Sequence, residues 1–182
     1  MADLVQFVNT VSAWATIAMQ VVAAALLVAV AIERLGSSHV WANTILRVAR
    51  TWATHIVFFI SASGVAVSLF YSDIVGYPPC VLCWWQRMFL YPIAVIAGVA
   101  LLRRFVFPKA YVVALAALGF LIAIYHISVD WGAVTNAPCA ATGVSCTIRY
   151  VSEFNGYVTI PMMSFTAFAL IIVLAATASR QR

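Results

Sequence analysis

Five apolar segments, each close to the length that crosses a lipid bilayer, constrain this chain more than any other feature. A spanning helix needs about 20 mostly apolar residues, and its backbone groups must be satisfied within the segment. Composition agrees, since 65% of the 182 residues are hydrophobic and only 8% are charged, against about 25% in a soluble domain. We therefore predict an all-α integral membrane protein with spans at Val11–Ile32, Thr54–Tyr71, Trp84–Leu102, Ala110–Val129 and Tyr157–Thr177.

The basic residues predict the orientation of these spans. Lys and Arg accumulate in cytoplasmic segments, which places the N-terminus outside and the C-terminus inside. The net charge of +5 does not indicate nucleic-acid binding, because the basic residues flank apolar segments. No Lys or Arg precedes the first span, so we expect it to be retained rather than cleaved as a signal peptide. The basic residues predicted to be cytoplasmic are Arg34, Arg47, Arg50, Arg103, Arg104, Lys109, Arg180 and Arg182.

The connection between the first two spans, "HVWANTILRVARTW", has an apolar face and a polar, basic face. This pattern allows two structures, a helix lying in the lipid interface or a cytoplasmic extension of the second span. We divide the chain into residues 1–53, an extra N-terminal transmembrane helix with a basic amphipathic cytoplasmic linker, and residues 54–182, a four-helix transmembrane bundle. The apolar face carries Trp41, Ile45, Val48 and Trp52, and the other face carries Asn43, Arg47 and Arg50.

All four cysteines fall in the two connections that are predicted to face outward. Cys80 and Cys83 form a CxxC in "GYPPCVLCWWQRMFLYP", and Cys139 and Cys146 form a second pair in "NAPCAATGVSC". The outer side of a bacterial plasma membrane is where disulfides form and persist. Two adjacent pairs can exchange disulfides through attack of a thiolate on a disulfide sulfur. After the second pair, "TIRYVSEFNG" predicts a short helix resting on the outer interface.

The CxxC leads directly into the third span. Proline is tolerated in the first turn of a helix, so we predict that this helix begins near Cys80. The helix dipole, and Arg87 one turn after Cys83, both favour a thiolate at Cys83. His126 near the end of the fourth span lies at a depth similar to that of Arg87. Together these residues fit a polar headgroup that arrives through the lipid, and a quinone matches that description.

Each of these residues also has a simpler interpretation. Arg87 can extend its charge to the interface, and His126 can be a hydrogen-bonded residue of the bundle. The four cysteines can hold a structural zinc ion or form two inert disulfides. A tetrathiolate site has no evident need for the positive charge of Arg87, so we favour redox chemistry and predict no metal ligands.

The motifs resemble those of the DsbB/BdbC family of disulfide bond formation proteins. The resemblance covers roughly residues 54–177 and rests on "CVLCWWQR", "PCAATGVSC" and "GYVTIPMMSFTAFALI". It implies a four-helix core, to which the first span and its linker are additional. It also implies a membrane enzyme that reoxidises an extracytoplasmic, DsbA-like thioredoxin-fold thiol oxidase and passes two electrons to ubiquinone or menaquinone. A vitamin K epoxide reductase-like enzyme is a rival, ranked lower because that family carries its CxxC in the last core span.

The resemblance also implies roles for the cysteines. Cys80 and Cys83 would form the pair coupled to the quinone, with Cys83 the sulfur that reacts with it. Cys139 and Cys146 would form the pair that meets the partner, with the mixed disulfide at Cys139.

Three further residues are candidates for binding the quinone. By resemblance, Arg87 stabilises the reduced quinone and His126 lies near it. Gln86 completes the predicted set, although the sequence leaves open whether it contacts the quinone or only lipid.

Overall fold

The computed structural model describes residues 1–36, 39–103, 106–134 and 143–178. These residues form five long helices, and each is long and apolar enough to cross a membrane. The described part of the chain has no strand, only one isolated β-bridge. The predicted all-α membrane fold with an extra N-terminal helix is therefore confirmed. The helices are α1 (Ala2–Arg34), α2 (Val40–Leu69, continued by a π-helical turn, Phe70–Ile74), α3 (Val81–Arg103), α4 (Lys109–Asp130) and α5 (Ile160–Thr177).

The amphipathic linker is the first part of α2, which runs without interruption from Val40 into the second span. Of the two structures that its sequence allows, the extension is the one present. Leu46 of this extension is buried against Ala29 of α1. Arg50 donates to Glu33 at 2.6 Å, which joins the same two helices through an exposed ion pair.

Helices α2, α3, α4 and α5 form a closed ring in which each contacts the next, and α5 contacts α2. Lipid is as apolar as the core, so close packing rather than water exclusion holds membrane helices together. Gly119 of α4 illustrates this, because a Cβ there would collide with the ring of Phe168 on α5. Other fully buried core residues are Val57, Ile93, Val112, Ala116 and Ile171.

Helix α1 lies outside the ring, against α2 and α5. Besides the Arg50–Glu33 pair, further hydrogen bonds attach it to the rest of the protein. The Tyr71 hydroxyl donates to Asn9 Oδ1 at 2.8 Å, and Gln20 Nε2 donates to Thr166 Oγ1 at 3.0 Å. The Tyr157 hydroxyl donates to Gln20 Oε1 at 3.1 Å. Such bonds contribute about 0.6 kcal/mol each in membranes, so α1 is a fixed part of the bundle.

Several helix boundaries follow from proline. Helix α3 starts directly after the double proline and Cys80, as predicted. Helix α5 starts at Ile160 with Pro161 in its first turn, three residues later than the predicted span.

The prediction of a short helix after the second cysteine pair is wrong, because these residues form turns and irregular segments. Phe154 and Asn155 adopt left-handed φ angles of 51° and 56°, which reverse the chain instead of continuing a helix. Glu153 and Val158 then exchange backbone hydrogen bonds at 3.1 Å across this turn.

The two ends of the bundle differ in chemistry. Cys80 and Cys146 pack in one buried cluster at the end where α3 begins and α4 finishes, which we call the cysteine end. The described basic residues of the predicted cytoplasmic side lie on the opposite helix ends and connections, which we call the basic end. Arg104, Arg180 and Arg182 lie outside the described residues.

Candidate functional site

A cavity of about 280 Å³ lies at the cysteine end and is lined by residues from all five helices. Every predicted site residue that the structure describes lines it. Cys139 lies outside the described residues. The predicted residues that share the cavity are Cys80, Cys83, Gln86, Arg87, His126 and Cys146.

Cys80 and Cys83 are free thiols at the start of α3, with their sulfur atoms 3.2 Å apart. Cys80 immediately precedes the helix, and its sulfur accepts the backbone N–H of Cys83 at 3.4 Å. An N-cap side chain satisfies an unpaired helix N–H in this way. Cys80 is only 4% exposed, so the pair meets the cavity rather than open solvent.

Two buried polar side chains support Cys80 from one side. His126 Nε2 lies 3.8 Å from the Cys80 sulfur, and Gln86 Nε2 lies 3.2 Å from His126 Nδ1. When the Gln86 amide donates to Nδ1, the ring proton resides on Nε2 and is directed at the sulfur. Gln86 therefore orients the imidazole as a donor to Cys80.

These donors place the thiolate of the reduced pair on Cys80. The hydrogen bond from the Cys83 thiol is the main cause that lowers the pKa of Cys80 to about 4. Burial of the sulfur opposes this shift, and His126 and the Cys83 N–H reinforce it. Thiolates in CxxC motifs at helix starts fall in the same range. The sequence analysis placed the thiolate at Cys83, whereas in the structure the sulfur that precedes the helix, Cys80, receives the donors.

Arg87 joins α3 to α2 at the edge of the cavity. Its Nη2 donates to the Ser68 carbonyl at 3.0 Å, and its guanidinium lies 5.2 Å from the centre of the Trp84 ring. The charge is therefore fixed at the cavity wall by a hydrogen bond and a cation–π contact.

Cys146 is disulfide-bonded and buried, and it packs with Cys80, Leu82 and Val129. A free dithiol and a disulfide thus occupy one buried cluster. The four-cysteine zinc alternative requires four thiolates, and the Cys146 sulfur is engaged in a disulfide. Among the described residues, those close enough together to share a metal ion are two thiols and one imidazole: the sulfur atoms of Cys80 and Cys83 and a ring nitrogen of His126 lie within 4.8 Å of one another.

A clamp that the sequence analysis missed holds the Cys146 loop against α4. Arg149 Nε donates to Asp130 Oδ1 at 2.7 Å, and Arg149 Nη2 donates to the Asp130 carbonyl at 2.9 Å. Thr159 Oγ1 donates to Asp130 Oδ2 at 3.4 Å. An acidic residue at the end of an apolar span, with one arginine in the following loop, was the signal available in the sequence.

An aromatic stack, also missed, closes the same end of the bundle. Tyr77 stacks on Tyr150 with ring centres 4.4 Å apart and on Tyr71 with centres 6.1 Å apart. The stack connects the end of α2 to the loop that carries Cys146.

A helical membrane bundle with a free dithiol and a disulfide on one buried cavity defines a class, the membrane thiol–disulfide oxidoreductases. Comparison with known proteins gives the family. The model of the family described as Disulfide bond formation protein DsbB matches residues 50–178, and the chain belongs to this family. It is thus a multi-pass membrane protein of disulfide bond formation, and α1 lies outside the matched range.

Curated relatives carry similar names. The chain is 41% identical over 116 residues to the SPbeta prophage-derived disulfide bond formation protein B of Bacillus subtilis, covering 64% of this chain and 78% of that protein. It is 34% identical over 125 residues to the Probable disulfide formation protein C 2 of Bacillus cereus, covering 69% of this chain and 89% of that protein. No solved structure was found to match.

Proposed function

We propose that the protein is a thiol:quinone oxidoreductase of the bacterial plasma membrane that reoxidises an extracytoplasmic, DsbA-like thioredoxin-fold oxidase. The observation that carries the proposal is the shared cavity, which joins the Cys80–Cys83 dithiol, the Cys146 disulfide and the polar side chains of Arg87 and His126. The distribution of basic residues supports an orientation with the N-terminus and all four cysteines outside and the C-terminus in the cytoplasm.

Electrons enter through the loop pair. A thiolate of the reduced partner attacks Cys139, because Cys146 is buried, and the Cys139–Cys146 bond breaks. The second partner sulfur then attacks the mixed disulfide, so the partner leaves oxidised and the loop pair is a dithiol. The loop dithiol next reduces a Cys80–Cys83 disulfide and recovers its own disulfide. The free Cys80 and Cys83 thiols beside the bonded Cys146 support this direction of transfer.

The residues of the cavity fit a quinone. Arg87 and Gln86 offer N–H groups for carbonyl oxygens and His126 lies beside them, while Leu90 and Phe168 add apolar wall. The volume of about 280 Å³ is near the lower end of ligand pockets, which suits a single ring. A bound quinone would accept the two electrons that Cys80 and Cys83 release on forming their disulfide, together with the proton of the Cys83 thiol and one further proton from water.

The chain provides the groups that close this disulfide. The Cys80 and Cys83 sulfur atoms lie 3.2 Å apart, so the S–S bond can form between them as the pair's two electrons pass to the acceptor. His126 holds its proton at Nε2, where it stabilises the Cys80 thiolate until the S–S bond forms. Burial of Cys80 shields its sulfur from water during the reaction.

The test uses the full chain in lipid nanodiscs with a reduced thioredoxin-fold oxidase and either ubiquinone or menaquinone. The wild type is expected to reduce quinone in proportion to partner oxidised, and Cys83→Ala is expected to abolish quinone reduction. A reduced partner whose second cysteine is replaced by alanine is expected to accumulate a mixed disulfide at Cys139, because the partner sulfur that would release it is absent. Unchanged turnover of Cys83→Ala would refute the proposal.

A further inference from the structure

The cavity extends past the ring of four helices and reaches α1. On one side it is bounded by the thiols and by polar side chains from α3 and α4. On the opposite side it is bounded by α1, α2 and α5. The residues that α1 contributes follow one flank of the helix and are Val11, Ser12, Ala15, Thr16 and Met19.

Part of this flank faces lipid. Thr16 is buried, whereas Ala15 and Val11, farther around α1, are exposed although they line the cavity. On α2, Gly64 is half-buried and Ser63 is exposed, and both line the cavity too. The cavity therefore opens laterally between α1 and α2, with Val11, Ala15 and Ser63 at its rim.

The α1 wall is apolar in character even where it carries hydroxyl groups. The Thr16 hydroxyl donates to the Ser12 carbonyl at 2.8 Å, so its proton is already engaged. Ser12 interacts in turn with Tyr71. Hydrogen-bond donors for a polar ring are thus concentrated near Cys80, and the opposite wall suits hydrocarbon.

We propose that α1 and α2 form a lateral portal that binds the isoprenoid tail of the quinone and determines which tail lengths the site accepts. This inference rests on the proposed function and adds a binding site to it. The polarity of the cavity matches such a ligand, with its ring end at the dithiol and its tail end at the lipid. The family match begins at residue 50, so the α1 side of the portal is additional to the matched region.

The first test measures binding without turnover. In the Cys80→Ala/Cys83→Ala variant, a quinone with a photoreactive diazirine on its long tail is expected to label the peptide carrying Val11–Met19, and unlabelled long-tailed quinone should compete. Label found only on helices α2 to α5, with none on α1, would overturn the inference.

The second test narrows the portal in the wild-type background. Ala15→Phe is expected to weaken binding of a long-tailed quinone at least about tenfold, as misfit in an apolar pocket does. A tailless quinone should bind as before, because the groups around the ring are untouched. Ala18→Phe is the matched control, since Ala18 is exposed on the same helix and does not line the cavity.

The outcomes separate the two proposals. Wild-type protein that binds neither quinone refutes the proposed function and the portal together. Wild-type protein that reduces quinone, with Ala15→Phe indistinguishable from Ala18→Phe, refutes the portal alone. Equal weakening of both quinones by Ala15→Phe also refutes it, because the effect is then not on the tail.

Discussion

Replacing Arg149 by alanine is expected to release the loop that covers the dithiol. The Asp130 side chain is 3% exposed and that of Arg149 is 38% exposed, so the variant leaves a buried carboxylate without its cation. Breaking a buried ion pair costs about 3–5 kcal/mol. Thr159 remains as a donor to Asp130, which places the expected cost near 3 kcal/mol.

Two measurements report this loss. About 3 kcal/mol corresponds to a fall of roughly 6–12 °C in the thermal unfolding midpoint of a chain of this size. It also corresponds to about a hundredfold larger population of the open loop, since each 1.4 kcal/mol is a factor of ten. Alkylation of Cys80 by a water-soluble maleimide should accelerate accordingly, because Cys80 and the loop residue Cys146 share one buried cluster.

The control is the exposed ion pair at the basic end. Arg50 and Glu33 have side chains 38% and 41% exposed, so Arg50→Ala should cost no more than about 1 kcal/mol. The double variant Asp130→Asn/Arg149→Ala should recover much of the stability, because no buried charge remains. The reasoning is refuted if Arg149→Ala changes neither the midpoint nor the alkylation rate, or if it matches Arg50→Ala.

Three further perturbations test the packing, the thiolate and the attachment of α1. Gly119→Ala should destabilise the bundle by about 1–3 kcal/mol in thermal unfolding, because its Cβ meets the buried Phe168 ring. His126→Ala should raise the pKa of Cys80 above about 4; the thiolate, present above that pKa and lost below it, should then disappear at a higher pH, followed by ultraviolet absorbance. Gln20→Leu removes two hydrogen bonds that join α1 to α5 and to the turn before it, worth about 0.6 kcal/mol each, and should speed hydrogen exchange in α1.

Each of these variants has a control in the chain. Gly98→Ala should cost less, because the nearest atom, 3.1 Å away, belongs to the half-buried Phe58 ring, which can move. His55→Ala should leave the titration of Cys80 unchanged, since His55 lies on α2 and away from the cavity. Thr10→Val should leave exchange in α1 unchanged, because the Thr10 hydroxyl bonds only within its own helix.

The sequence was sufficient for the spans because hydrocarbon imposes one requirement on every segment, that its backbone bonds be made locally. It also predicted the start of α3, since a double proline fixes that boundary without tertiary information. The predicted start of α5 is three residues too early, because "GYVTIP" is apolar enough to belong to the span although the helix begins only at Ile160, next to its proline.

Features that depend on pairing across the fold were beyond the sequence. The sequence contains Asp130 and Arg149, but it does not show that the loop after α4 brings their side chains into contact. The thiolate on Cys80 depends on His126, 46 residues away, and on the direction of the Cys83 backbone N–H. The spacing between Cys83 and Arg87 in the sequence favoured a thiolate at Cys83, because spacing alone does not show which donors the fold brings to Cys80.

The short length of α5 has a consequence for the surrounding bilayer. At 1.5 Å per residue, its 18 residues extend about 27 Å, less than the roughly 30 Å thickness of hydrocarbon. Alone in lipid it would force the membrane to thin around it. Because α1, α2 and α4 all contact α5, those longer helices form much of its boundary with lipid. The longer helices around α5 therefore set the thickness of the bilayer next to the protein. The length of α5 can then be fixed by the site at the cysteine end instead of by the membrane.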